Sequence, residues 1–387
     1  MSISAHLFKY IDINPKEFLA KGTLAKKISM DKLQPFCRDV PEYEIAKFSG
    51  GAKFRNGDTI MARITPCLEN GKTAMVNILE PDEVGFGSTE FIVFRAKEGY
   101  TDPDFVYYLV KSSIVRDPAI KSMVGSSGRQ RVQTDVVQNL VIPFPNLSEQ
   151  RKIASILKSL DDKIALNTTI NDNLEQQAQA IFRQELLQNG ELPPNWTTGS
   201  LLDIADYLNG PAMQKFRPVD GERGLPVLKI KELRQGFCDY SSELCSPNIK
   251  PEFIVHDGDV IFSWSGSLLV DLWCGGTCGL NQHLFKVTSV KYPKWFYYTW
   301  TAHHLARFVA IAADKATTMG HIKREDLAKA EVIIPDVASM ERIGGVLQPI
   351  YDLVINQRIE NRKLSMLRDS LLPKLMSGEL DVSAIEL

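Results

Sequence analysis

The stretch "SEQRKIASILKSLDDKIALN", residues 148–167, decides the architecture of this chain. Its apolar residues recur at alternating steps of four and three, at Ile153, Leu157, Leu160 and Ile164. That spacing is typical of a coiled-coil seam, where one helix packs along another, and it is narrower than the apolar face of a helix lying on a sheet. The surrounding chain consists of short apolar runs, glycines and prolines. The sequence therefore predicts one long helix that needs a helical partner.

A second copy of this helix supplies the partner. The segment "SMERIGGVLQPIYDLVINQRIENRKLSMLRDSLL" begins at Ser339. One constant shift in residue number matches the four seam positions of the first helix, in order, with Ile343, Leu347, Ile350 and Val354 of the second. Both seams become polar halfway along, at Asn167, Asn171, Gln357 and Asn361, and polar seam residues can fix the register of a helix pair. We predict that the two helices pair antiparallel; the alternative, that each covers only its own domain, remains open.

The repeat extends over the whole chain. The shift that relates the two helices also matches "PDFVYY" at 103–108 with "PKWFYY" at 293–298. Nearer the N-terminus the shift becomes larger and matches the turns at Asn56-Gly57-Asp58 and Asp257-Gly258-Asp259. Each copy also carries strand-like runs, at 58–64, 90–96 and 140–145 in the first and at 225–230, 259–265 and 330–335 in the second. The features that both copies share, including the paired tyrosines, are interpreted as fold elements.

The predicted fold class is α+β, with two similar mixed α/β domains joined by two long helices in an antiparallel coiled coil and related by a pseudo-twofold internal repeat. The predicted boundaries are 1–146 for the first domain, 147–189 for the central helix, 190–337 for the second domain, 338–378 for the distal helix and 379–387 for the tail. Asn146 and Glu149 predict a capping box at the start of the first helix, and Asn189-Gly190 a turn at its end. Pro373 is predicted to kink or end the second helix.

Composition sets broad limits on function. The 387 residues are 44% hydrophobic and 24% charged, which is ordinary for a globular protein with a real core. The net charge is −2, so composition does not indicate a nucleic-acid binder, and a polyanion would have to bind a local basic surface. The chain has no run of 18 apolar residues and no signal-peptide pattern, which predicts a cytoplasmic protein.

Motifs for catalysis and metal binding are incomplete. Cys274 and Cys278, near His283, lack a second ligand pair, so we predict no metal site and six reduced thiols. The "ENGKT" at 69–73 resembles the end of a phosphate-binding loop, but Pro66 stands where its first glycine belongs. The acidic pair Asp161-Asp162 is interpreted as part of a solvated helix face. These patterns predict no catalytic site and no cofactor.

Several segments together resemble a known family. In chain order they are "IPFPNLSEQRKIASILKSLDDKI" (142–164), "LPPNWTTGSLLDIAD" (192–206), the strand "GLNQHLFKV" (279–287) and "LLPKLMSGEL" (371–380). Over essentially the whole length, the chain resembles the specificity subunits of type I restriction-modification systems. The helix entry and the closing segment are fairly specific in combination, although neither is a catalytic motif.

The resemblance implies a non-catalytic, DNA-binding subunit of a methyltransferase and restriction complex. Each globular domain would be a target recognition domain that reads one half of a bipartite double-stranded site in the major groove. The helices would fix the spacing and dock modification (methyltransferase) subunits, two in number, with restriction (translocase/nuclease) subunits joining through the complex. An alternative from another class is a two-headed protein-binding scaffold that does not bind DNA, which the acidic net charge would fit.

Residues that read two different half-sites should be polar and should differ between equivalent places in the two copies. One polar loop, "GSSGRQRVQ" at 125–133, corresponds to "ATTMGHIKR" at 316–324. Arginine pairs well with guanine and glutamine with adenine, whereas lysine more often contacts phosphate. The main candidates are Arg129, Gln130, Arg131, His321, Lys323 and Arg324. Fainter candidates are Arg63, Lys72, Gln214, Lys215 and Arg217. The alternative, that these charges only keep a loop solvated, stays open.

Overall fold

The computed structural model describes residues 3–126, 128–187, 191–314 and 320–385. The chain divides into two compact units. Unit 1 comprises the residues up to Ile164 together with those from Leu364 onward, and unit 2 comprises Ala165–Lys363. Each unit therefore contains one globular domain and a section of both long helices. No helix in the described ranges is long and apolar enough to cross a membrane.

Unit 1 begins with a globular domain of short strands and helices. Its strands are β1 (Ile3–His6), β2 (Ile11–Ile13), β3 (Leu24–Ile28), β4 (Glu44–Lys47), β5 (Lys53–Phe54), β6 (Thr59–Ala62), β7 (Thr73–Met75), β8 (Gly85–Gly87), β9 (Phe91–Ala96) and β10 (Val141–Phe144). Its helices are α1 (Leu7–Tyr10), α2 (Pro103–Lys111), α3 (Ser113–Lys121) and α4 (Thr134–Gln138), followed by the long helix α5 (Leu147–Leu186). The strands form two four-stranded sheets, ordered β2-β9-β6-β7 and β4-β3-β8-β5, and the pair β1-β10.

Unit 2 repeats this plan strand for strand. Its strands are β11 (Thr197–Ser200), β12 (Asp206–Asn209), β13 (Leu225–Leu228), β14 (Leu244–Cys245), β15 (Ile254–Val255), β16 (Val260–Ser263), β17 (Leu269–Leu272), β18 (Cys278–Leu280), β19 (Leu284–Thr288) and β20 (Glu331–Ile334). Its helices are α6 (Leu201–Ile204), α7 (Ile230–Gln235), α8 (Lys294–His303), α9 (Leu305–Asp314) and α10 (Arg324–Ala328), followed by the long helix α11 (Val337–Ser377).

The strand orders of the two units are equivalent. Unit 2 has sheets ordered β12-β19-β16-β17 and β14-β13-β18-β15 and the pair β11-β20. In both units the second sheet contains one parallel pair, β3-β8 or β13-β18, among antiparallel neighbours. The predicted internal repeat is confirmed, and all six strand-like runs of the sequence contain strands. The run at 279–287 is not one strand, because a turn at 281–283 separates β18 from β19.

The glycine-aspartate turns that both units share are fold elements, as interpreted from the sequence. Gly57 has a φ of +83° and Gly258 a φ of +84°, values in the left-handed region that favours glycine. The next residue in each turn is an aspartate with a basic partner on the neighbouring strand. Asp58 is buried against Arg95, and Asp259 lies 2.8 Å from Lys286. These contacts place the first residues of β6 and β16.

The start of α5 confirms the predicted capping box. The backbone N–H of Asn146 donates to Glu149 at 3.1 Å, and that of Glu149 donates to the Asn146 side chain at 2.9 Å. These bonds satisfy two donors that a helix start leaves free. The predicted turn at Asn189-Gly190 lies outside the described residues.

Of the two effects predicted for Pro373, an end to the second helix is wrong, because α11 continues to Ser377, and a kink stays a prediction. Proline removes one backbone hydrogen bond and crowds the preceding turn, which destabilises a helix interior. Around Pro373, however, the residues Leu372, Leu375 and Met376 are buried in the core of unit 1. Burial of each large apolar side chain contributes about 1.5–3 kcal/mol, which offsets the proline penalty.

The long helices pair within each unit. In unit 1, Ile153 and Leu157 of α5 share a buried cluster with Leu372, Leu375 and Met376 of α11. In unit 2, the buried cluster joins Ala178, Phe182 and Leu186 of α5 to Ile343, Leu347 and Tyr351 of α11. Because early α5 meets late α11 and late α5 meets early α11, the pairing is antiparallel, as predicted. Both clusters also include residues of the globular domains, so each helix section also covers the domain of its own unit.

The remaining predicted seam residues are placed less uniformly. Leu160 and Ile164 are half-buried, Ile350 packs against the core cluster of unit 2, and Val354 is fully buried. In the polar middle of the seam, Asn167 joins the two helices by hydrogen bonds, whereas the buried side-chain oxygens of Asn171 and Gln357 have no hydrogen-bond partner among the described residues. The side-chain amide of Asn167, which is buried, donates to Glu360 at 2.7 Å and to Asn361 at 2.8 Å. Such a layer favours the observed register over its neighbours.

The interpretation of Asp161 as part of a solvated face is wrong, whereas its neighbour Asp162 is exposed. Asp161 is buried and lies 2.5 Å from the guanidinium of Arg368 on α11. The hydroxyl of Tyr108 donates to the same carboxylate at 2.7 Å. At the equivalent places of the repeat, unit 2 has Tyr351 for Asp161 and Ala178 for Arg368. This layer of the helix pair is therefore ionic in unit 1 and apolar and aromatic in unit 2.

Candidate nucleic-acid interface

Each unit joins two polar segments in the same way. In unit 1, Ile64 and Arg131 form an antiparallel backbone bridge, and the N–H of Val132 donates to the carbonyl of Arg63 at 2.8 Å. We call residues 63–65 and 130–132 the first loop platform. The bridge places the segment after β6 beside the polar loop that precedes α4.

Unit 2 contains the matching arrangement. Ser265 and His321 form the antiparallel bridge, and the N–H of Ile322 donates to the carbonyl of Trp264 at 2.9 Å. We call residues 264–266 and 320–322 the second loop platform. Both bridges follow the repeat, because the shift of the glycine-aspartate turns matches Ile64 with Ser265 and the shift of the helices matches Arg131 with His321. The same backbone geometry therefore carries different side chains in the two units.

The first loop platform contains three of the predicted site residues, Arg63, Gln130 and Arg131, and a fourth, Arg129, lies next to it in the chain. Arg131 holds the carboxylate of Glu90 through its Nε and Nη2, at 2.8–3.0 Å, and this hydrogen bonding raises the pKa of Arg131. Arg63 is half-buried, with its Nε 3.8 Å from Glu90. Gln130 is half-buried and its carbonyl accepts from the N–H of Thr65 at 3.0 Å, while Arg129 is exposed beside it.

Lys72 is placed differently from the other candidates of unit 1. Its backbone carbonyl accepts from the N–H of Ala62, next to the first loop platform. Its ammonium, however, donates to the carbonyl of Met30 at 2.8 Å, and the side chain is half-buried. A lysine already bonded to the backbone has less freedom to reach a phosphate.

The main candidates of unit 2 lie on and just after the second loop platform. His321 is exposed, and its ring meets that of Trp264 edge-on, with the ring centroids 6.3 Å apart. Lys323 is exposed, and its backbone N–H donates to Asp326 at the start of α10. Arg324 donates to the carbonyl of Tyr207 at 2.9 Å.

The fainter candidates of unit 2 lie on a separate segment. Gln214 and Lys215 are exposed on the short 3-10 helix Met213–Lys215. Arg217 is exposed and lies 3.7 Å from Glu243. Within the described ranges, none of the three side chains forms a hydrogen bond or ion pair with the second loop platform.

Glu90 was missed by sequence reasoning, which searched for basic and amide side chains. It lies 41 residues from Arg131, and only the fold brings the two together. A usable signal was its position as the first residue of the strand-like run at 90–96, since strand ends often carry site residues.

The described residues form neither a cluster of metal ligands nor a disulfide. Within the described ranges, no group of three or more His, Cys, Asp or Glu side chains is placed to hold a metal ion. All six cysteines carry free thiols, and Cys274 and Cys278 are both buried.

Two repeated α/β units that carry unlike polar loops on the same backbone bridge, with antiparallel helices in each unit, define an internally duplicated, two-domain protein. A family model described as the type I restriction modification DNA specificity domain matches residues 17–176 and 193–363. The chain belongs to this family, and its function is DNA sequence specificity in a type I restriction-modification system.

Individual relatives agree with this assignment. The type I restriction enzyme MjaIX specificity subunit of Methanocaldococcus jannaschii is 26% identical over 315 residues, covering 73% of this chain and 70% of the relative. The HindI specificity subunit of Haemophilus influenzae is 22% identical over 404 residues, covering 84% and 87%. The crystal structure of a type I restriction-modification S subunit from M. genitalium matches with a TM-score of 0.57 at 14% identity, covering 99% of this chain and 97% of that one, which shows a shared fold.

Proposed function

We propose that each unit reads one half of a bipartite double-stranded DNA site. In this proposal the pair α5 and α11 fixes the spacing between the half-sites. The same helices dock two modification subunits, and restriction subunits join through the resulting complex.

The observation that carries the proposal is the equivalence of the two loop platforms. The repeat fixes the same backbone bridge in both units, while the side chains on it differ. Sequence readout depends on hydrogen bonds and apolar contacts to base edges, so unlike side chains on one scaffold can select two different half-sites. Exposed cations beside the platforms, Arg129 in unit 1 and Lys323 in unit 2, give local positive charge to a chain with a net charge of −2.

Exposed apolar residues on α11 support the docking of modification subunits. Met366 and Leu367 in unit 1 are 67% and 47% exposed, and Val346 and Leu353 in unit 2 are 51% and 43% exposed. Apolar side chains at protein surfaces contribute to protein–protein contacts when they cluster.

We also propose that the chain itself neither methylates nor cleaves DNA, because its sequence lacks a phosphate-binding loop and a glycine-rich cofactor loop. Catalysis would then come from the docked subunits.

The test is to co-express the chain with its cognate modification subunit and to sequence the host genome for methylated adenines. We expect one motif made of two defined half-sites and a gap of fixed length. The chain alone, incubated with S-adenosylmethionine and assorted duplexes, should transfer no methyl groups. A continuous motif would contradict the proposal that each unit reads a separate half-site. Methyl transfer by the chain alone would contradict the proposed non-catalytic role.

A further inference from the structure

Beside each loop platform lies a third equivalent position, just before β9 in unit 1 and just before β19 in unit 2. In β9, Phe94 pairs with Thr59, and in β19, Val287 pairs with Val260, so Phe94 and Val287 are equivalent. Counting back the same distance from each, Glu90 corresponds to His283. The backbone agrees, because the N–H of Arg63 donates to the carbonyl of Glu90 at 2.9 Å and that of Trp264 donates to the carbonyl of His283 at 3.4 Å.

Each platform, together with this third position, therefore presents three side chains at equivalent places, which we call a trio. The first trio is Arg63, Glu90 and Arg131. The second trio is Trp264, His283 and His321. The scaffold is common, so the difference in chemistry between the trios is a difference in what each unit can recognise.

The first trio is charged. Glu90 binds the Nε and Nη2 edge of Arg131 at 2.8–3.0 Å and so fixes the plane of its guanidinium. Arg131 remains 43% exposed and Arg63 32% exposed. Two partly exposed guanidinium groups around one carboxylate, one of them held in plane, suit the two acceptors of guanine, O6 and N7.

The second trio is aromatic. Trp264 is half-buried, and its indole Nε1 donates to Asn209 at 2.9 Å. Its ring centroid lies 6.2 Å from that of His283, whose Nδ1 is 3.0 Å from the hydroxyl of Ser265. The tilted rings offer an apolar surface with hydrogen-bonding edges and no guanidinium fork. Such a surface matches the methyl group of thymine, which marks an A·T pair in the major groove.

We propose that the two trios determine specificity at one base pair in each half-site, guanine in the first and an A·T pair in the second. Glu90 is a positioning residue that acts through Arg131, and Trp264 supplies the surface against the thymine methyl. The inference rests on the proposed function, because it concerns how the two units read their half-sites.

The first test uses the complex of the full chain with its modification subunit and sequencing of methylated adenines. E90Q keeps the shape of the side chain but removes the charge that holds Arg131. We expect discrimination at one guanine of the first half-site to fall about tenfold, which corresponds to roughly 1.4 kcal/mol, while the second half-site stays unchanged. E98Q, an exposed carboxylate of the same unit, is the matched control and should keep the wild-type motif.

The second test compares W264A with W264F. The alanine variant should relax one A·T position of the second half-site, whereas the phenylalanine variant, which keeps an apolar ring, should retain most of the preference. The first half-site serves as an internal control for folding. If W264A abolishes methylation altogether, H283A should relax the same position, with the exposed histidine variant H256A as its control.

Three outcomes would overturn the inference. They are a first half-site without guanine, unchanged discrimination in both E90Q and W264A, or equal relaxation of both half-sites by either variant. A wild-type complex whose motif is not bipartite would instead contradict the proposed function, so the two failures can be told apart.

Discussion

Arg129 and Arg131, two arginines of one loop, are held very differently. Arg131 binds the carboxylate of Glu90, whereas Arg129 is exposed at the edge of the first loop platform. A fixed guanidinium can discriminate between base edges, because little conformational freedom is lost when it binds. The loop therefore carries one oriented cation and one exposed cation, and under the proposed function both would face the first half-site.

Substitution of either arginine by alanine should relax the first half-site only. We expect R131A or R129A to lose about 1–3 kcal/mol of discrimination for a base-reading contact, measured by binding of the complex to duplexes with single base changes. R223A, which removes an exposed arginine of unit 2, is the control. Equal loss on every duplex, together with a smaller salt dependence, would make the residue a phosphate contact.

The sequence predicted residues whose roles are local and missed those whose roles depend on distant partners. The capping box of Asn146 and Glu149 and the turn at Gly57 were predicted because they depend on neighbours within a few residues. Glu90 was missed because its partner is 41 residues away. Asp161 was misread because hydrophobic periodicity counts only apolar residues and cannot show a buried charge that Arg368 neutralises.

Among the elements, the helix pair shows how packing overrides intrinsic preference. The repeat predicted both long helices, their partner and their direction. It did not predict that α11 would continue through Pro373, because the sequence pattern reports the propensity of one segment and not the burial of Leu372 and Leu375 by the rest of unit 1.

The buried pair Asp161–Arg368 makes a specific prediction for the stability of unit 1. D161L alone should lower its unfolding free energy by about 3 kcal/mol, because Arg368 would remain buried without its partner on α5. R368M alone should have a similar effect. The double variant should recover at least half of this loss, since no unpaired charge remains.

Calorimetry on the purified chain can measure this double-mutant cycle from the shifts of the transition that reports unit 1. D162L, an exposed neighbour, should change the unfolding free energy by less than about 0.5 kcal/mol. Single effects that simply add in the double variant would show that the two side chains do not interact.

For the whole molecule, the duplication predicts modular recognition. Replacement of residues 1–146 by the corresponding domain of a relative should change one half of the methylated motif and leave the other half as it was. The contacts between α5 and α11 in unit 1 would be retained in such a chimera. A chimera in which both halves changed would be incompatible with independent reading by the two units.

The helix pair should act as a ruler between the half-sites. Four residues inserted after Asn167 in α5, with four inserted before Asn361 in α11, would lengthen both helices by about 6 Å at the polar layer. That is somewhat under two base-pair rises of about 3.4 Å, so we expect the same half-sites with a gap longer by one or two base pairs.

Sequencing of methylated sites would measure the gap. An insertion of four residues in the exposed turn at Gly221 is the control and should leave the spacing unchanged. An active protein with both helix insertions and the original gap would show that the helices do not set the distance.

The unlike ends of the helix pair also bear on what would happen if the gene were split between its two copies. A lone first half would have to pair α5 with another α5, and the repeat would then place Asp161 opposite Ala178 and leave its carboxylate uncompensated. A lone second half would place Arg368 opposite Tyr351. Because an unpaired buried charge costs several kcal/mol, the fragments would favour heterodimers over homodimers. Gene fission would thus preserve a reader of two different half-sites and would disfavour a palindromic one.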